Sequence, residues 1–166
     1  MVLIIAEKPS LARNIAAGIG QMAKRDGYLE GCGYLVTWAF GHLFSLCDIE
    51  RYNPAPESSG GHWCMENLPC IPPKFEFELR KGADKKVDSG VERQFATIRT
   101  LCHRADVDTI VNAGDADREG EIIVRLCIDH ALRPEERARR MKQIHDAAAR
   151  LVLAAEREKR KKERQA

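Results

Sequence analysis

Asn112-Ala-Gly-Asp-Ala-Asp-Arg-Glu-Gly-Glu121 is the stretch on which the reading of this chain turns. It follows Val107 to Val111, an apolar run of strand length. It precedes Glu121 to Leu132, where Ile122, Val124, Leu126, Ile128 and Leu132 recur at helical spacing. Four acids in seven residues (Asp115, Asp117, Glu119, Glu121) repel one another unless positive charge stands among them, and a divalent cation is the first candidate. The acids fall near the carboxyl end of a strand, where ligands and catalytic groups collect in open α/β sheets.

Working outward, 166 residues fit one domain with a normal core. The net charge of +2 is unevenly spread. Residues 131–166 hold 12 Lys and Arg against 6 Asp and Glu, whereas residues 1–130 hold 15 against 19. The basic character therefore belongs to the tail. No run approaches the roughly 18 to 20 apolar residues of a membrane span, and Met1 leads into a strand-like run without a secretory pattern, so a soluble, cytoplasmic protein is expected. The 6 cysteines include no Cys-x-x-Cys pair, which argues against a zinc ribbon or redox motif. His62, Cys64 and Cys70 form a loose cluster, read as reduced thiols in preference to a metal site.

Val2 to Ala6 is a short apolar run bounded by charge, as in a central strand of a parallel sheet. Glu7 and Lys8 follow, then Pro9 and Ser10. Ser10 is taken as N-cap of a helix carrying Leu11, Ile15 and Ile19 and closed by Gly18 and Gly20. Tyr34 to Phe40 reads as a second strand, with Gly41-His42 after it; His42 is either a phosphate contact or a polar strand end. Cys47 to Cys70 is a Pro/Gly/Ser-rich excursion anchored by Trp63 and Leu68. Phe75 to Leu79 alternates like an edge strand, and Arg80 to Lys86 is a basic loop, either solvated or facing a phosphate backbone. Val91, Phe95, Ile98 and Leu101 line an amphipathic helix. Alternating strands and helices give an α/β fold with a mainly parallel sheet flanked by helices. Beyond Arg133-Pro134 the composition is that of a long basic helix, so the division expected is a body over 1–132 and a basic helical tail over 133–166.

Charged residues commonly end strands where the chain meets water, so Glu7 and Lys8 mean little alone. Paired with the second acidic strand end, they suggest hard oxygen ligands for Mg²⁺ converging across a parallel sheet, with Lys8 as fixed positive charge for a phosphate. No Gly-x4-Gly-Lys-Ser/Thr loop is present, so a nucleoside triphosphate is not the expected substrate. Metal-assisted chemistry on a nucleic-acid phosphodiester fits better.

Ile4-Ile-Ala-Glu-Lys-Pro-Ser-Leu-Ala, then Trp38-Ala-Phe-Gly-His-Leu, then Gly114-Asp-Ala-Asp-Arg-Glu-Gly-Glu, in this order, resemble the Toprim domain of type IA DNA topoisomerases. Glu-Lys-Pro-Ser with Gly-His-Leu is most similar to the topoisomerase III branch; Leu68-Pro-Cys-Ile-Pro and the helix from Gln94 to Leu101 support it. The resemblance covers residues 2 to about 130. The Asp-x-Asp-x-Glu turn by itself also suits primases, type II topoisomerases and Toprim nucleases.

The resemblance implies a Rossmann-like Toprim fold over 1–132 and a site divided by role. Glu7 matches a metal ligand and proton carrier at the scissile phosphodiester, and Lys8 a lysine that stabilises the phosphate and its leaving oxygen. Asp115, Asp117 and Glu119 match the Mg²⁺-holding triad, while His42 and Arg118 match positions close to DNA, with single-stranded DNA as the partner. Type IA enzymes cleave with a tyrosine in a stretch resembling Tyr-Pro-Arg-Thr. Here Tyr28, Tyr34 and Tyr52 have no such context. The expectation is an isolated or truncated Toprim module whose nucleophile comes from a partner chain. Alternatives are a non-catalytic DNA- or partner-binding module using the basic tail, and a small Toprim nuclease.

Overall fold

A computed structural model describes residues 1–53, 65, 68–82 and 84–137. Its centre is β1 (Val2–Ala6), with every residue from Leu3 to Ala6 buried, as the unbroken apolar run requires. Parallel neighbours flank it: β4 (Tyr34–Trp38) pairs Ile4 with Val36, and β7 (Thr109–Ala113) pairs Ile4 with Val111. Side chains on a strand alternate between faces. Ile4, Ala6, Val36 and Val111 therefore pack with Ala12 of α1 (Pro9–Ile19) on one face. Leu3, Ile5, Leu35 and Ile110 pack on the other with α2 (Ser89–Cys102) and α3 (Arg118–Ala131). Truncating a buried Leu or Ile of β1 to Ala costs about 2–5 kcal/mol, which makes this strand the fold's keystone.

The α/β expectation holds, with a mixed sheet. Its order is β2-β3-β4-β1-β7, in which β2 (Ala23–Arg25) and β3 (Tyr28–Gly31) extend the parallel core as an antiparallel hairpin. The sequence reading contained no strand between Gly20 and Tyr34. The β2 residues are all exposed and β3 is only half-buried, so neither carries the apolar alternation that marks a strand. The Asp26-Gly27 turn between them was the available signal. β3 turns into β4 through Cys32 and Gly33, both at positive φ, +52° and +81°.

Gln94 of α2 fastens this hairpin to the body. Its buried amide donates to the carbonyls of Trp38 (2.7 Å) and Gly27 (3.2 Å) and to the Thr37 hydroxyl (3.1 Å). Thr37 in turn donates to Gly27 O at 2.9 Å. Buried polar groups are retained where each finds a partner, and these do.

β5 (Phe44–Leu46) and β6 (Phe77–Leu79) form a separate antiparallel ribbon, so Phe75 to Leu79 yields a strand outside the main sheet. Phe44 seats the ribbon against the body: its ring meets Phe95 edge-on at 4.9 Å and stacks on His130 at 4.1 Å. Between the two strands, residues 49–51 form a single 3₁₀ turn.

Several local expectations are corrected. Ser10 is not the N-cap of α1; Lys8 occupies that position in extended conformation with Pro9 as the first helical residue, since proline's missing N–H suits it there. Gly20 ends α1 at φ +136° and donates to Ala16 O, while Gly18 lies within the helix. Leu68, expected as an anchor, is exposed, and Ile122 faces solvent while Ile123 and Cys127 are buried. α2 is as expected, with Asp88 as its N-cap accepting from Gly90 and Val91. Trp63, His62, Cys64 and, from residue 138 onward, the stretch expected as a basic helical tail lie outside the described residues. No helix among those described is long and apolar enough to cross a membrane.

Candidate metal and phosphate site

β1 and β7 run parallel in register, so their carboxyl ends open at the same edge, Ala6 beside Ala113. The chain then leaves each strand in a different way. After β1 it passes through Glu7 and Lys8 into α1, with Ala12 N donating to Lys8 O at 3.1 Å. β4 continues past Trp38 alongside, Ala39 N donating to Ala6 O and Gly41 N to Glu7 O. That pairing carries His42 to the same edge.

Glu7 is the most enclosed acid here, its side chain 16% exposed. One of its oxygens accepts from the Asp115 backbone N–H at 3.3 Å, and the other lies 3.5 Å from the Lys8 ammonium. Lys8 Nζ donates to Asp115 Oδ2 at 2.8 Å, closing a three-residue contact across 107 positions of sequence. The hydrogen bond to Asp115, then the charges of Asp115 and Glu7, raise the Lys8 pKa above the ordinary lysine value. Lys8 therefore stays cationic throughout the neutral range.

The turn after β7 is set by close backbone approach. A Cβ on Gly114 would stand 2.1 Å from Gly120 O, and one on Gly120 would stand 2.4 Å from Asp115 N and 2.5 Å from Asp115 O. Only glycine at both positions lets the turn lie directly on the first turn of α3. Asp117 caps that helix, its Oδ1 accepting from Gly120 N at 2.7 Å, and its own N–H donates to Asp115 O at 2.8 Å. Asn112 accepts from Gly114 N and donates to Glu121 O at 3.3 Å and to the Glu121 carboxylate.

The crowding of acids is thus relieved from several sides. Lys8 meets Glu7 and Asp115, Arg125 Nε donates to Glu121 at 2.8 Å, and His42 Nε2 pairs with Glu119 Oε2 at 2.8 Å. Asp117, Glu119 and Glu121 also lie at the N-terminus of α3, where the helix dipole favours negative charge. Of the four acids first singled out, Glu121 is turned toward Asn112 and Arg125.

The structure therefore gathers Glu7, Lys8 and Asp115 in direct contact and pairs His42 with Glu119, with Asp117 bonded to Asp115 O and Gly120 N in the turn between Asp115 and Glu119. Arg118 begins α3, exposed to solvent. Gly114, Gly120 and Asn112 were not among the residues singled out from the sequence; the Gly-x5-Gly spacing across the acidic turn was their signal. As the side chains lie, no group of three or more His, Cys, Asp or Glu among the described residues is arranged to hold a metal ion. The donor chemistry nonetheless fits Mg²⁺, since Glu7, Asp115, Asp117 and Glu119 offer hard carboxylate oxygens, and a positive charge already stands between two of them.

The Toprim domain family matches residues 2–147. A DNA topoisomerase 3 of Staphylococcus epidermidis is 41% identical over 127 residues, 76% of this chain and 16% of the relative. One from Shouchella clausii is 38% identical over 136 residues, 81% of this chain and 17% of the relative. A third, from Bacillus thuringiensis, is 40% identical over 127 residues, with shares of 76% and 16%. The chain spans about one sixth of the length of these curated relatives.

Proposed function

The chain belongs to the Toprim domain family, and on that premise we propose that it is the Mg²⁺-binding module of a type IA, topoisomerase III-like DNA topoisomerase. In this reading residues 1–132 are the Toprim body and 133–166 a basic helical tail. The module serves cleavage and rejoining of a single DNA strand, and the nucleophilic tyrosine comes from elsewhere in the protein or from a partner chain. The observation that carries the reading is the Lys8–Asp115 contact, which joins the ends of β1 and β7 into one site.

Glu7, Asp115, Asp117 and Glu119 hold the metal through carboxylate oxygens. The bound ion supplies charge neutralisation and positioning at the phosphodiester. Glu7, half-enclosed and beside Asp115 N–H, is the group that gives or takes a proton at the scissile oxygen. Lys8 sets its ammonium against the phosphate as negative charge develops on the leaving oxygen, a contact whose strength grows toward the transition state. His42 and Arg118, both exposed at the rim, hold neighbouring DNA phosphates.

The test is magnesium titration of the purified chain, followed by melting temperature and tryptophan fluorescence. Both should respond in the millimolar range, and Asp115→Ala and Asp117→Ala should abolish the response. Silence of the wild-type chain up to 10-fold above physiological Mg²⁺, roughly 10 mM on the scale of weak divalent sites, sinks the proposal. Magnesium-dependent nicking by this chain alone, lost in Glu7→Gln, would favour a Toprim nuclease instead.

A further inference from the structure

We infer that Lys8 is a built-in counter-ion of the acidic site, and that it exchanges with Mg²⁺: the ammonium holds Asp115 and Glu7 until the metal enters, then is released toward the phosphate. The inference rests on the metal-binding reading given above and adds an order of events to it.

Lys8 Nζ lies 2.8 Å from Asp115 Oδ2 and 3.5 Å from Glu7 Oε1, so it touches an acid from each of the two strand ends. An ammonium at hydrogen-bonding distance from a carboxylate oxygen occupies space that a directly coordinated cation and its waters need. Asp115 cannot give the same oxygen to both in this arrangement. The pair is also open to exchange, because the Lys8 and Asp115 side chains are 46% and 45% exposed, and solvated ion pairs are weak. Lys8 can move without disturbing the fold. It is the N-cap residue of α1 yet makes no side-chain cap bond, so its side chain has no structural duty to the helix.

The rest of the cluster is organised differently. Asp117 Oδ1 is held by the Gly120 N–H, Glu121 by Asn112 and Arg125, and Glu119 by His42. Each of those contacts is made within the turn, within α3 or at the rim. The Lys8 contact instead spans the junction between the β1 and β7 ends at which the metal is proposed to sit, beside the bond from the Asp115 N–H to Glu7. The exchange moves no proton, since the ammonium leaves as an ammonium. Its chemical consequence is coupling: a Lys8 freed from Asp115 is available to a phosphate only when the metal is in place, so phosphate capture follows metal entry.

Two readouts test this in the full chain. First, Mg²⁺ affinity is measured by calorimetry and thermal shift in wild type, Lys8→Met and Lys8→Gln. Removing the competing cation should tighten Mg²⁺ binding by about tenfold, within the usual range of site-to-site coupling. Second, Lys8 acetylation by an amine-reactive ester is followed by mass spectrometry, with exposed Lys24 as internal control. Mg²⁺ should raise the Lys8 labelling rate severalfold and leave Lys24 unchanged. If wild type binds Mg²⁺ but neither variant binds more tightly, or Lys8 labelling does not respond, the exchange is wrong while the metal-binding reading stands. If neither wild type nor variants bind Mg²⁺, both fall together.

Discussion

Replacing Gly120 with Ala and, separately, Gly18 with Ala makes the same chemical change in two helices and should have opposite effects. In a helix, Gly→Ala removes backbone freedom from the unfolded chain and gains about 0.5–1 kcal/mol where space allows. At Gly18, inside α1, an added Cβ meets nothing within 4 Å, so the gain should be realised in full. At Gly120 the same Cβ stands 2.4 Å from Asp115 N, 2.5 Å from Asp115 O and 2.9 Å from Asp115 Cα, each short of the 3.0 Å that real Cβ contacts respect. All three atoms are backbone, so no side chain can swing aside. The acidic turn has to move off α3 as a unit, and overpacking of this kind costs about 3 kcal/mol at the upper end of its usual range. Net of the helix gain, Gly120→Ala should lose about 2 kcal/mol, or roughly 4–8 °C in melting temperature for a chain of this size. Gly18→Ala should gain about 1–4 °C on the same scale of roughly 2–4 °C per kcal/mol. Thermal and urea unfolding by circular dichroism decide it. A Gly120→Ala protein as stable as wild type, alongside a normal Gly18→Ala, would refute the interlock of turn and helix.

Cys32 occupies the first position of a two-residue hairpin turn at φ +52°, a conformation costing non-glycine residues about 1–2 kcal/mol, and its thiol returns only a weak 3.6 Å contact to Gln21 O. Cys32→Asn should therefore stabilise by roughly 0.5–1 kcal/mol; an unchanged or lower urea midpoint would contradict this. Burial, helped by Cys102, pushes the Cys127 thiol from 9.0 up to about 12. Above pH 9 the unfolded chain loses this proton while the folded chain keeps it, so stability falls as pH rises between 9 and 12. The slope attributable to this group approaches 1.4 kcal/mol per pH unit at most, about one proton. Urea unfolding of Cys127→Val should show a shallower alkaline limb, and equal slopes would exclude Cys127 as the source.

Where burial wrote itself into composition, the sequence was readable. Val2 to Ala6 is flanked on both faces and the helix after Asp88 carries one apolar stripe, and each lies where its pattern indicates, whereas the strand expected over Val107 to Val111 runs two residues later, Thr109–Ala113. Glu7, Lys8 and Asp115 converge because parallel register puts equivalent strand ends side by side, a consequence of topology that strand-end positions anticipate. The β2–β3 hairpin was missed because it is held by backbone pairing and by the Gln94 amide, neither of which leaves an apolar signature. Ser10 lost the cap to Lys8 because Pro9 can begin a helix two residues earlier than Ser10 as cap would allow. Charge balance at the acidic turn was only half legible. Arg125 lies four residues after Glu121, a spacing visible in sequence, whereas His42 reaches Glu119 from the distant connection between β4 and β5.

The register Ile4↔Val111 also carries a message about time. During synthesis at roughly 5–20 residues per second, β7 follows β1 out of the ribosome by about 5 to 20 seconds. For that interval β1, the most apolar strand, has an open edge facing outward, and an unpaired apolar edge invites strand addition by other chains. Closing a loop of this length is also the slow step expected of a long-range parallel pairing. The strand that later organises the whole domain is, until β7 arrives, its most vulnerable segment. Chaperone capture of nascent chains should accordingly centre on residues 2–6 and end once the segment around Val111 has emerged.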